Sequence, residues 1–87
     1  MPKVSIPPLM QKLTNGTSVV LVEGKTIREV IDNLEKKYPG TKDRLCENNR
    51  IRPNIAVAVN SEIITVGLRK QVEPDNEVHF LPAVSGG

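Results

Sequence analysis

Residues 26–40, TIREVIDNLEKKYPG, contain the signals that decide the fold. Thr26 and Glu29 have the spacing of a capping box, in which a hydroxyl and a carboxylate each accept from an amide of the first helical turn. Spacings of three and four residues then place four apolar side chains on one helix face. These side chains are Ile27, Val30, Ile31 and Leu34.

The end of this helix is also marked. Lys36 and Lys37 lie in the last predicted turn, where cations interact favourably with the helix dipole. Tyr38-Pro39-Gly40 follows, and the residue before a proline avoids the α region. We therefore expect one amphipathic helix over residues 27–37.

Short alternating or β-branched runs on both sides of the helix predict strands, separated by Gly, Pro and Asn turn signals. We expect strands at residues 3–6, 17–22, 54–59, 63–66 and 77–81. The first two strands form a hairpin whose long loop spans residues 9–16. Residues 41–47 are expected to form a short helical turn anchored by Leu45, and residues 48–53 a polar loop.

The resulting order is β-β-α-β-β-β in a chain of 87 residues, which suits one domain. One helix cannot cover both faces of a sheet. The sequence therefore predicts an α+β, two-layer architecture with the helix on one sheet face and the other face partly open.

Strand alternation predicts which side chains lie on the open face. If Val78 and Phe80 face the helix, their neighbours in the strand face away from it. The same rule applies to the strand at residues 54–59, where Ile55, Val57 and Val59 are expected in the core. A mildly apolar patch results, made of Ala56, Ala58, His79 and Leu81. The patch is either a docking surface or ordinary exposed apolar surface, which is common.

Composition excludes several function classes. The net charge is +2, with ten basic and six acidic residues through Arg52 and two basic and four acidic after it. No basic run or aromatic stacking platform accompanies this excess, so nucleic-acid binding is not expected. The N-terminus lacks the apolar region of a signal peptide, and no apolar run has transmembrane length. We expect a cytoplasmic protein.

The side chains offer no catalytic or metal site. His79 is the only histidine and Cys46 the only cysteine, so neither a histidine pair nor an intramolecular disulfide can form. These two residues lie at unrelated places in the pattern, so a thiol–imidazole pair is not expected. A glycine-rich phosphate loop and a CxxC motif are both absent from the sequence.

After Pro82 the sequence reads Ala83-Val84-Ser85-Gly86-Gly87. Two glycines weaken a folded segment because they lose the most conformational entropy on ordering. Without Cβ atoms, however, they can enter a narrow channel. Two terminal glycines arise by chance in roughly 0.5% of chains at average composition. We expect a folded domain at residues 1–82 and a flexible tail at residues 83–87.

The ending Phe80-Leu81-Pro82-Ala83-Val84-Ser85-Gly86-Gly87 and the order of elements resemble the ubiquitin-like β-grasp sulfur carriers (MoaD/ThiS-like). The Pro-x-Val-x-Gly-Gly pattern is similar to that of molybdopterin synthase small subunits. The alanine after Pro82, together with Val4-Ser5-Ile6-Pro7, looks more like the carrier of the cysteine pathway. The resemblance implies a mixed sheet of four to five strands packed on one main helix.

The resemblance also implies a function. An adenylyltransferase related to ubiquitin-activating enzymes, using ATP and Mg²⁺, would adenylate the terminal carboxylate on Gly87. Sulfur would then convert it to a thiocarboxylate that a sulfur-accepting synthase uses in cysteine or molybdopterin biosynthesis. The carrier itself is no enzyme and binds no cofactor or metal. Gly86 and Gly87 form the reacting end, and the expected partner contacts are His79, Ala56, Ala58 and residues 81–85, Leu81-Pro82-Ala83-Val84-Ser85.

Two alternatives remain open. A ubiquitin-like protein modifier could end in the same two glycines and be conjugated through Gly87 to lysines of other proteins. A β-grasp interaction domain with an inert tail is the other. The lead-in at residues 82–85, which lacks the arginines of ubiquitin's tail, favours the carrier. Because the chain ends at Gly87, we expect no processing step.

Overall fold

The computed structural model describes residues 1–82, with the backbone alone described at Pro82. The first half of the fold contains three strands, one 3₁₀ helix and two α-helices: β1 (Lys3–Ser5), the 3₁₀ helix Pro8–Thr14, β2 (Val19–Leu21), α1 (Ile27–Lys37), α2 (Thr41–Leu45) and β3 (Cys46–Glu47). The second half comprises β4 (Arg50–Ile51), β5 (Ile55–Val59), β6 (Glu62–Ile63), the 3₁₀ helix Gly67–Arg69 and β7 (Glu77–Pro82).

Five strands form the main sheet, in the order β2-β1-β7-β5-β6. β1 and β7 are parallel, and the other neighbours are antiparallel. The sheet is therefore mixed, and helix α1 packs on one of its faces. This confirms the predicted α+β class, with a mixed sheet of four to five strands on one main helix.

Helix α1 begins and ends where the sequence predicts. Thr26 is the N-cap, and its hydroxyl accepts from the amide of Glu29 at 3.2 Å. The Glu29 carboxylate accepts from the amide of Lys25 at 3.1 Å, one residue earlier than the capping box predicts. The amide of Tyr38 closes the helix on the carbonyl of Leu34.

The core is aliphatic apart from Phe80 and lies between α1 and the sheet. The buried helix face consists of the predicted residues Ile27, Val30, Ile31 and Leu34. Two buried hydroxyls accompany this core, and both donate to carbonyls: Thr14 to Thr17 at 2.8 Å, and Thr41 to Tyr38 at 2.8 Å. These hydrogen bonds remove the penalty of burying an unpaired polar group.

The prediction of a polar loop at residues 48–53 is wrong. β3 and β4 pair antiparallel around a tight turn at Asn48 and Asn49. Both residues have positive φ, of 54° and 61°, a conformation that Asn tolerates better than most residues and that two-residue hairpin turns require. Arg52 ties this hairpin to α2, since its Nε donates to the carbonyl of Asp43 at 2.8 Å.

Two further segments differ from expectation. The strand predicted at residues 63–66 is shorter and shifted, because β6 covers Glu62–Ile63 and a 3₁₀ helix follows at Gly67–Arg69. The connector predicted at residues 9–16 contains the 3₁₀ helix Pro8–Thr14. Pro8 favours such a start, since proline suits the first turn of a helix.

We expect Leu34→Ala to lower the free energy of unfolding by about 2–5 kcal/mol, because it opens a cavity beneath a fully buried helix face. Urea denaturation followed by circular dichroism measures the change. Val66→Ala is the control, since Val66 is exposed and such changes stay within about 0.5 kcal/mol. Equal effects of the two substitutions would contradict this account of the core.

Candidate functional site

Strand β7 leads directly into the predicted tail. It lies inside the sheet, paired with β1 on one side and with β5 on the other. Its last residue, Pro82, is opposite Ile55, the first residue of β5. The last described strand is therefore an interior one, whose position is determined by pairing along both edges.

The alternation of β7 is as predicted. Val78 and Phe80 are buried on the helix side of the sheet. His79 is half-buried and Leu81 is 41% exposed, on the opposite side. The open face therefore begins within one residue of Pro82, the last residue of β7.

Strand register extends this open face across the whole sheet. In a sheet, directly opposed residues point to the same side. The strand register therefore produces a row of five residues, one from each strand, that point to the same side. This row consists of Val19, Ser5, His79, Ala58 and Ile63. Its two ends, Val19 and Ile63, are exposed apolar side chains. Leu21, two residues from Val19 on the same side of β2, is a third.

The two alanines differ in accessibility. Ala56 is opposite Leu81 and half-buried, whereas Ala58 is opposite His79 and only 3% exposed. The predicted face is correct for both, but Ala58 offers almost no contact area. Its methyl group lies between the larger side chains of His79 and Ile63 on the flanking strands.

Sequence reasoning missed the outer apolar residues of this face, Val19, Leu21 and Ile63. The signal was present in β2, where the run Val19-Val20-Leu21-Val22 is apolar on both faces. An edge strand with one buried face needs only alternate apolar residues. The additional Val19 and Leu21 therefore make the other face apolar as well, and both side chains are exposed.

His79 has one charged neighbour on the open face. Its Nε2 lies 3.7 Å from Oε1 of Glu77, two residues earlier on the same strand. Both side chains are more than one-third exposed, so the pair is weak and exists only when the histidine is protonated. His79 is half-buried on the open face, and within residues 1–82 Glu77 is the only charged group paired with it.

The predicted reacting end lies outside the described residues. This applies to Gly86 and Gly87 and to the predicted contacts Ala83, Val84 and Ser85. At Pro82 the backbone alone is described. Of the predicted contacts, the structure brings together His79, Leu81, Ala56 and Ala58 on one face beside the end of β7.

Cys46 lies on the helix side, in a cavity of about 190 Å³ that Arg28, Ile31 and Lys42 also line. It is half-buried and packs against the core, whereas His79 is on the open face of the sheet. The two residues are therefore not a thiol–imidazole pair. Burial raises the pKa of the Cys46 thiol, and the nearby cations Lys42 and Arg28 oppose this increase only in part.

An ion pair borders the same cavity. The Lys42 ammonium donates to Asp32 Oδ1 at 2.6 Å, and this hydrogen bond raises the pKa of Lys42. The two side chains are 40% and 42% exposed, so the ion pair contributes little to stability. Within residues 1–82, no cluster of His, Cys, Asp and Glu could hold a metal ion, and no helix is long and apolar enough to cross a membrane.

Comparison with known proteins adds a family to this geometry. The model of the ThiS family matches residues 6–87. The match therefore includes strand β7, the two glycines Gly86 and Gly87, and every residue of the open face except Ser5.

Three relatives illustrate the match. Sulfur carrier protein CysO of Mycobacterium tuberculosis is 33% identical over 97% of this chain and 96% of its own length. A molybdopterin synthase sulfur carrier subunit of Pyrenophora tritici-repentis is 34% identical over 85% of this chain and 76% of its own. A chain in the crystal structure of the Amycolatopsis orientalis BexX/CysO complex superposes with a TM-score of 0.92, at 35% identity and full coverage of both chains.

We expect Cys46 to react slowly with iodoacetamide near pH 8, because a raised pKa leaves less thiolate at that pH. The pH at which the rate is half-maximal should be higher in the folded protein than in the same protein unfolded in urea. Stability should correspondingly fall as the pH rises above the ordinary thiol pKa, since the unfolded state ionises first. A half-maximal pH equal to or below the unfolded value would contradict this description of Cys46.

Proposed function

The chain belongs to the ThiS family, and on that basis we propose that it is a sulfur carrier that works through its C-terminal residue. The observation that carries the proposal is the extent of the family match, which runs through Gly86 and Gly87. Two relatives named as sulfur carriers align over most of this chain. In this role the chain is a substrate or subunit of partner enzymes and performs no catalysis itself.

The proposed chemistry takes place at the carboxylate of Gly87. A partner adenylyltransferase uses ATP and Mg²⁺, and the carboxylate oxygen attacks the α-phosphorus as pyrophosphate leaves. A sulfur nucleophile such as hydrosulfide then attacks the acyl carbon, AMP leaves, and a thiocarboxylate remains. Adenylation is needed because a free carboxylate is a poor electrophile.

The fold supports this chemistry by holding the base of the tail. Five residues follow Pro82, and fully extended they span at most about 17–18 Å. We propose that residues 83–87 are a flexible tail, and that Gly86 and Gly87 enter an enzyme's active site while the domain at residues 1–82 stays outside. Docking of the domain then orients the carboxylate for reaction.

The open face is the proposed docking surface. Leu81, His79 and Ala56 lie beside the end of β7, and the exposed Ile63 and Val19 extend the same face. Exposed apolar side chains grouped on one face are typical of protein contacts. We propose that the adenylyltransferase and the sulfur-accepting synthase both bind here. The A. orientalis relative has been crystallised in a BexX/CysO complex, which supports docking of carriers on a second protein.

Two finer points belong to the same proposal. The acceptor is a synthase of cysteine or molybdopterin biosynthesis, the pathways to which the resemblance and the relatives' names point. The location is the cytoplasm, where ATP is available and a free thiol such as Cys46 stays reduced.

We expect one oxygen of Gly87 to be replaced by sulfur when the protein is co-expressed with its host's adenylyltransferase. Top-down mass spectrometry measures this exchange and locates it. Localisation is essential because oxidation of Met1 or Met10 adds nearly the same nominal mass. A chain lacking Gly86 and Gly87 is the control and should remain unmodified.

An unmodified Gly87 in the presence of ATP, sulfide and a competent adenylyltransferase would argue against the carrier. Isopeptide conjugates to lysines in the lysate would then favour the protein modifier. Full function after deletion of both glycines would favour an interaction domain with an inert tail.

We expect Leu81→Asp to lower kcat/KM for adenylation of the tail at least about tenfold, because an interface anchor contributes more than about 1.4 kcal/mol. The assay is pyrophosphate release by the adenylyltransferase. Val66→Asp is the matched control, since Val66 is also exposed but precedes the 3₁₀ helix that packs against α1. Equal kcat/KM values for the two variants would contradict the proposal that the open face is the docking surface.

A further inference from the structure

A second apolar surface lies at the same end of the sheet, on the helix side of β7. We call it the root groove. It has a volume of about 330 Å³, and its lining includes Pro7, Leu9, Met10, Arg44, Ile55 and Phe80. The groove lies beside the last residues of β7, and Leu81, which belongs to the open face, also lines it, so the two surfaces meet at that residue.

The groove combines a buried floor with an exposed apolar wall. Met10 and Phe80 are buried and form the floor. Leu9 is 85% exposed, the highest value for any large apolar side chain in residues 1–82. Leu9 lies on the 3₁₀ helix next to the buried Met10, and its side chain is exposed to water at the rim of the groove. An apolar occupant would shield both the floor and this wall.

We propose that the root groove binds this chain's own tail, with the methyl groups of Val84 against Leu9, Met10 and Phe80. The docking of Val84 does not depend on the function of the tail. A further part of the proposal, in which the Gly87 carboxylate pairs with Arg44, rests on the proposed function, which makes that carboxylate the chain terminus.

Strand alternation supports Val84 as the occupant. Val78 and Phe80 face the helix side, and a tail that continues their period of two would present Val84 on the same side. The root groove is on that side. Val84 is also the only large apolar residue after Pro82, since its neighbours are alanine, serine and glycine.

Chain length and charge point to the same occupant. Val84 is two residues beyond Pro82, so at most about 7 Å of chain separates it from the end of β7, where the groove lies. Arg44 is exposed, is the only charged residue lining the groove, and forms no ion pair within residues 1–82. The tail has no charged side chain, so its carboxylate is the one anion it can bring to Arg44.

Docking within one chain needs little contact area, because attachment to β7 keeps the local concentration of the tail high. Ordering Gly86 and Gly87 opposes docking, since glycine loses the most conformational entropy. The tail therefore exchanges between a docked and a free form. The docked form withdraws the carboxylate from solvent, and an enzyme that needs an extended tail binds the free form.

Nuclear magnetic resonance of the chain ending at Gly87, labelled in its methyl groups, tests the docking directly. We expect nuclear Overhauser effects from the Val84 methyls to Leu9, Met10 and Phe80. Val84→Ser should shift the Leu9 and Met10 methyl signals and leave those of Val19 and Ile63, on the open face, unchanged. Because the experiment uses the unloaded chain, its result does not depend on sulfur loading.

Three results would overturn the docking. The first is the absence of Val84 contacts to the groove, with groove signals unmoved by Val84→Ser. The second is a set of Val84 contacts to the open face. The third is contact between labelled and unlabelled copies in a mixed sample, which would make a second molecule the occupant.

Arg44→Gln tests the ion pair, with Arg69→Gln as the matched control because both arginines are exposed. We expect Arg44→Gln, and not Arg69→Gln, to shift the amide signals of Ser85, Gly86 and Gly87. Added salt should produce the same shifts in the unchanged chain, since ions screen an exposed pair. Identical tail spectra for the two variants would overturn the pairing with Arg44.

Discussion

The pairing of β7 along both of its edges is the constraint on which the rest of the structure depends. Three residue pairs join it to β1 and five join it to β5. Burial of Val78 and Phe80 prevents the strand from slipping by one residue, since a slip would turn both side chains to the open face. The position of Pro82, and so the start of the tail, follows from this register.

The single long helix creates the second feature of the molecule, its two unlike sheet faces. Helix α1 covers one face and leaves the other with the exposed apolar side chains of Val19, Leu21, Ile63 and Leu81. Edge strands of three and two residues, β2 and β6, leave little unpaired backbone for association by strand addition. The side chains of the open face therefore form the surface that we propose for docking.

The chemistry of the proposed function resides in the backbone terminus, which explains why the side chains alone reveal so little. The lone cysteine is half-buried on the helix side, and the lone histidine is on the open face. Neither has a partner with which to catalyse a reaction within residues 1–82. The sequence signal for function was instead the pair Gly86-Gly87 after an interior strand, which the family match includes.

The sequence by itself determined the helix from Ile27 to Lys37, its cap at Thr26 and the buried faces of β5 and β7. These features depend on spacings within one segment, through the periods of 3.6 and 2. Only the tertiary structure decided the Asn48-Asn49 hairpin, the burial of Ala58 and the groove beside Phe80. The strands of the hairpin have only two residues each, which is too short to show a period of two. The burial of Ala58 and the groove depend on which distant segments become neighbours, and no local pattern encodes the free energy of those contacts.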